Sequence, residues 1–168
     1  MSDPLTRTEP VPSSPLLGKG VTVSLAPPMA RYSLRARHAK ALEALLGITV
    51  PKCIGATEGQ ITCLGPDEWM LRGVAGTLIA ADAGLAVAVT DISDRAVCFT
   101  VAGPRAAALL MTGCPLDLDR FAVGRATRTI FETVEIIVIR DADDVFQVDV
   151  WRSFANWLWT ALTTAARH

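Results

Sequence analysis

Residues 126–166 read ATRTIFETVEIIVIRDADDVFQVDVWRSFANWLWTALTTAA. Three β-type runs, 126–131, 134–140 and 145–150, are separated by links too short for a crossover, so they predict neighbouring antiparallel strands. The turn before the third carries Asp141, Asp143 and Asp144. A helix is then predicted from Arg152 to about Ala166. Phe154, Leu158, Ala161, Leu162 and Ala165 form its apolar stripe, which should face the sheet. At helical spacing Trp157 lies at the stripe edge, and Trp159 lies about 120° from the stripe centre and is predicted to point away. Three of the four tryptophans, Trp151, Trp157 and Trp159, fall within the nine residues 151–159. Exposed tryptophan is a frequent anchor in protein interfaces, so all three are candidate subunit-interface residues.

Working outward, the upstream chain has the same grammar. Residues 21–25 and 31–37 read as a strand pair; in the second, Tyr32, Leu34 and Ala36 alternate with Arg31, Ser33, Arg35 and Arg37, which predicts one wet face. Residues 38–46 are helical, with Gly47 as cap. A hairpin is predicted over 60–64 and 68–72, joined by Gly65-Pro66-Asp67. A small-residue helix is predicted over 75–83, then a second hairpin over 85–91 and 96–102. A short helix, 105–111, starts after Gly103-Pro104. Short adjacent strands with interspersed helices predict an α+β, two-layer domain, with antiparallel strands and helices packed on one face. Residues 21–168 form this single domain. Residues 1–20, with Pro4, Pro10, Pro12 and Pro15, are expected to be a flexible Pro-rich arm.

Composition narrows the function classes. Lys plus Arg number 16 and Asp plus Glu 17, a net charge of -1, which argues against a nucleic-acid partner. Hydrophobic residues reach 51% and charged ones only 20%, a balance that suits a domain partly covered by another chain. No stretch reads as a secretory signal or a membrane span. Cys53, Cys63, Cys98 and Cys114 are scattered, without CxxC spacing, which suggests reduced thiols and a cytoplasmic protein.

Catalytic patterns are equally sparse. The histidines are His38 and His168, and no nucleophile elbow accompanies them. The 141–144 turn lacks the glycine and closing Glu of a calcium loop. Neither a P-loop nor GxGxxG occurs. Asp91 with Asp94, and Asp117 with Asp119, lie in turn-like segments. No catalytic, cofactor-binding or metal-ligating residue is therefore expected on this chain.

Several segments, taken in order, resemble one family. They are Leu64-Gly65-Pro66-Asp67-Glu68-Trp69-Met70-Leu71, Thr90-Asp91-Ile92-Ser93-Asp94-Arg95, and 101–110 (VAGPRAAALL). Gly113-Cys114-Pro115-Leu116-Asp117-Leu118 follows, then Arg152-Ser153-Phe154-Ala155 with Trp157-Leu158-Trp159. From about Ala30 to Ala166 the chain is similar to the gamma subunit of heterotetrameric sarcosine oxidase. The resemblance implies a fold like part of the folate-binding aminomethyltransferase domain. It implies a flavin-dependent complex that demethylates sarcosine to glycine and passes the one-carbon unit to tetrahydrofolate. FAD, FMN, NAD, zinc and tetrahydrofolate would sit on other subunits, with alpha, beta and delta chains as partners. This chain would be a non-catalytic assembly part. Two alternatives are a gamma subunit of a sister enzyme acting on another N-methyl amino acid, and a free-standing folate or one-carbon binding protein.

Overall fold

The three C-terminal strands pair as their short links require. The computed structural model describes residues 8–73 and 84–167. Strands β9 (Ala126–Phe131), β10 (Val134–Ala142) and β11 (Val145–Trp151) form an antiparallel meander. Upstream lie β1 (Leu16–Gly18), β2 (Val21–Leu25), β3 (Ala30–Ala36) and helix α1 (Ala39–Leu46). They are followed by β4 (Thr57–Glu58), β5 (Ile61–Cys63), β6 (Glu68–Gly73), β7 (Val87–Asp91) and β8 (Ala96–Ala102). Helix α2 is Ala106–Met111 and helix α3 is Ala155–Ala165, entered through a 3-10 turn at Arg152–Phe154. The helix predicted over 75–83 lies outside the described residues.

The strands make two antiparallel sheets. One has the order β1-β2-β8-β11-β10-β9, the other β4-β5-β6-β3-β7. Each carries its helices on one face, as expected of an α+β domain. Helices α2 and α3 cover the six-stranded sheet, where Phe99, Val101, Phe146 and Val148 pack with Leu110, Leu158 and Leu162. Helix α1 covers the five-stranded sheet through Leu42, against Tyr32, Leu34 and Trp69. It ends at Gly47 with φ 68°, the left-handed cap anticipated. The bare faces of the two sheets meet each other, with Met70, Ala126 and Ile139 forming a small apolar contact between them.

Strand connectivity departs from expectation at two places. The 60–64/68–72 hairpin forms, as β5 against β6. The other two predicted pairs do not. Strand β2 pairs with β8, while β3 pairs with β6 and β7. Strand β8 pairs with β2 and β11, not with β7. The Pro27-Pro28 link and the turn after Asp91 therefore pass the chain from one sheet to the other. A two-residue turn motif looks the same in a hairpin and in such a crossing, because it fixes only the local reversal. In the second crossing, Asp91 accepts hydrogen bonds from the Ser93 amide (2.8 Å) and hydroxyl (2.6 Å), which lowers the Asp91 pKa.

The N-terminal arm also differs, over its described part. Leu16, Leu17 and Gly18 pair with Val23, Thr22 and Val21, and Val11 is buried in the core of the six-stranded sheet. Without β1, the edge of β2 would present unpaired amides and carbonyls. Gly18 lies so close to the Ala166 carbonyl that a Cβ would collide with it. Proline content predicted poor burial, but strand addition to a waiting edge needs only a few residues.

Candidate functional site

The meeting of the two bare faces is a polar layer with a cleft of about 270 Å³. Strand alternation places it. On β3, Arg31, Ser33 and Arg35 face the six-stranded sheet; on β6, Glu68, Met70 and Arg72 do so. Cys98 lies opposite Asp149, and Asp149 opposite Ile137, across β8, β11 and β10. The expected wet face of β3 is therefore corrected at Arg31, which is only 2% exposed. Its Nη2 donates to Asp149 Oδ1 at 2.9 Å, and Nη1 to the Ala96 carbonyl at 3.4 Å. Burial alone would lower the Arg31 pKa, but the charge and hydrogen bond of Asp149 outweigh it and hold it above its ordinary value. Arg31 Nε and Asp149 Oδ2 stay buried without a partner.

Nearer solvent the layer continues as an ion network. Glu68 accepts from Arg128 at 2.8 Å and from Arg35 at 3.2 Å, and Arg35 also reaches Asp67 at 3.0 Å. The hydrogen bond to Glu68 raises the Arg128 pKa. Arg72 lies 3.8 Å from Asp141, so the 141–144 turn contributes one carboxylate to the layer. Burial pushes the Cys98 thiol well up, and the Asp149 charge adds to this, while its Sγ donates to Gln147 Oε1 at 3.0 Å. A thiol so held stays protonated and unreactive at neutral pH. At the rim, the Arg95 guanidinium stacks over Trp151, 4.1 Å from the ring centroid.

The tryptophan candidates separate. Trp151 is 45% exposed and Trp157 38%. Trp159 is corrected: it turns inward, half-buried, with its ring 5.8 Å from that of Phe99. Phe154, assigned to the inward stripe, is instead 46% exposed. Phe154 belongs to the 3-10 turn over Arg152–Phe154 that precedes the α-helix. Counting from Ala155 at about 100° per residue, Leu158, Trp159, Leu162 and Ala166 centre on one line, and Trp157 points nearly opposite. The predicted stripe, drawn toward Phe154, Ala161 and Ala165, is centred about 75° from that line, which is why Trp159 reads as outward.

The remaining candidates stay apart. His38 is exposed at the start of α1. Asp117 Oδ1 caps the Arg120 amide at 3.4 Å. Cys114 is buried beside Thr129. Among the described residues no group of three or more His, Cys, Asp or Glu is placed to hold a metal. No described helix is long and apolar enough to cross a membrane.

This architecture is an α+β fold shared with solved proteins. Its backbone superposes on aminomethyltransferase T of the glycine cleavage system from Bartonella henselae with a TM-score of 0.62, at 18% identity, covering 86% of this chain and 46% of that protein. A chain of the heterotetrameric sarcosine oxidase from Corynebacterium sp. U-96, solved with pyrrole 2-carboxylate, is nearer. Its TM-score is 0.75 at 24% identity, covering 87% of this chain and 83% of that one. By sequence, residues 31–168 match the Sarcosine oxidase, gamma subunit family. The sarcosine oxidase subunit gamma of an Arthrobacter species is 34% identical over 148 residues, covering 78% of this chain and 72% of the relative. That of Corynebacterium sp. strain U-96 is 28% identical over 139 residues, covering 73% and 68%. The chain belongs to the sarcosine oxidase gamma subunit family.

Proposed function

We propose that this chain is the gamma subunit of a heterotetrameric sarcosine oxidase and serves it as a non-catalytic assembly part. The observation that carries this reading is the family match over residues 31–168, which takes in the five-stranded sheet, four strands of the six-stranded sheet and the aromatic C-terminal end. In this reading alpha, beta and delta chains are the partners, and the complex is cytoplasmic. It oxidatively demethylates sarcosine, with the one-carbon unit passed to tetrahydrofolate. FAD, FMN, NAD, zinc and tetrahydrofolate are held by the other subunits. The physical support is the use to which the polar side chains are put. The buried Arg31 and Asp149 are spent on each other, and Asp91 and Asp117 on turns and caps. The large apolar side chains Trp151, Phe154 and Trp157 stand exposed close together in sequence, which suits a protein partner.

Sarcosine turnover per flavin in the assembled complex tests the non-catalytic role. His38→Ala, Cys53→Ser and Asp91→Asn should each leave it within about twofold of wild type, since general acid–base or nucleophilic groups are worth about 100-fold or more. A 100-fold loss at any of the three overturns it. Comparing sarcosine with other N-methyl amino acids in the same complex separates the sister-enzyme reading. Saturable micromolar binding of tetrahydrofolate to the isolated chain would favour the free-standing binder; a flat titration is expected.

A further inference from the structure

We infer that the mouth of the inter-sheet cleft is a socket for an acidic side chain of a partner subunit. An Asp or Glu flanked by apolar residues would enter beside Trp151 and pair with Arg95. The inference rests on the assembly reading and deepens it by naming the chemistry of the contact.

One arginine charge in the cleft is left over. Four arginines line the cleft: Arg31, Arg35, Arg95 and Arg128. Three are committed, Arg31 to Asp149, Arg35 to Asp67 and Glu68, and Arg128 to Glu68 and Glu135. Arg95 has no carboxylate partner among the described residues, and its guanidinium lies on an exposed indole. A planar guanidinium held by stacking has its N–H fork fixed in advance and suits bidentate pairing with a carboxylate. The cleft's volume of about 270 Å³ has room for one or two side chains and little more. Leu64, Met70, Ile92 and Ile137 give it an apolar lining beside the charges. An exposed tryptophan at the rim adds apolar area that a lone small acid inside the cleft would leave wet. A protein segment covers both.

The test uses the complex co-expressed with this full chain carrying a tag. Arg95→Glu and Trp151→Ala should each weaken retention of the partner subunits at least about tenfold, with Arg95→Lys between them and wild type. Lys52→Glu, an equal charge reversal beside Glu43 at α1, should stay within about twofold. Arg95 and Trp151 are both exposed, so the melting temperature of each variant chain should follow wild type. A photo-crosslinking benzoylphenylalanine at position 151 should label a partner peptide that contains Asp or Glu between apolar residues. Wild-type retention by Arg95→Glu, or a label on a partner segment without a carboxylate, overturns the socket and leaves the assembly reading standing. Benzoate binding to the assembled complex, read by tryptophan fluorescence and lost in Arg95→Glu, also overturns it, since the cleft would then be open to a free acid. If wild type retains no partner, both readings fall.

Discussion

The two faces of the six-stranded sheet are both covered, by different chemistry. One face meets α2 and α3 through Phe99, Val101, Phe146 and Val148, each fully buried. The other meets the five-stranded sheet through Arg31–Asp149, Cys98 and the Glu68–Arg128 network. The same alternation along β8, β10 and β11 builds both. On the apolar face burial itself drives packing. On the polar face each charge must be matched before desolvation can be tolerated, so geometry decides whether the sheets dock. Alternation shows which residues share a face; it does not show whether that face meets water.

The comparison can be broken from its apolar side first. Phe146→Ala should cost about 4 kcal/mol in urea denaturation, as expected for an aromatic removed from a closed core. A change under about 1 kcal/mol would mean that this face is not the core. On the polar side, Arg31→Met should cost about 3 kcal/mol, because it leaves the Asp149 carboxylate buried and unmatched. Arg31→Met with Asp149→Leu should recover most of that loss, and a double variant as unstable as the single would show that the pair itself stabilises the docking.

The aromatic end sharpens the contrast between inside and outside. Trp159→Ala should destabilise the isolated chain by about 3 kcal/mol, since its ring packs on Phe99. Trp157→Ala should cost under about 0.5 kcal/mol in the same melt and act on partner retention instead. The outer ion network should matter far less than either buried layer. Glu68→Gln should cost about 1 kcal/mol or less, since Arg35 and Arg128 are 52% and 38% exposed, and the difference should shrink in 0.5 M salt. A salt-independent loss of several kcal/mol would move Glu68 into the buried layer.

Much of this was legible in the sequence. The β9–β11 meander, the β5–β6 hairpin and the Gly47 cap follow from periodicity and turn chemistry acting over a few residues. Long-range pairing was not, because nothing within 85–102 says that β7 joins β3 while β8 joins β2 and β11. Arg31 read as a solvated arginine because its partner lies 118 residues away on β11. Trp159 and Phe154 were misplaced because Ala161 and Ala165, counted as apolar, drew the predicted stripe away from the Leu158–Leu162–Ala166 line that packs on the sheet. The gamma-family resemblance rested on motifs such as Gly113-Cys114-Pro115-Leu116-Asp117-Leu118. One physical reason for its shape is that a Cβ at Gly113 would lie 2.6 Å from the Phe131 ring.

This chain exists to be assembled. Size-exclusion chromatography of the tagged chain, co-expressed with its neighbouring reading frames and followed by its absorbance spectrum, tests it most directly. A large yellow complex that carries three further chains is expected. A colourless 17.9 kDa monomer that leaves those chains behind would contradict it.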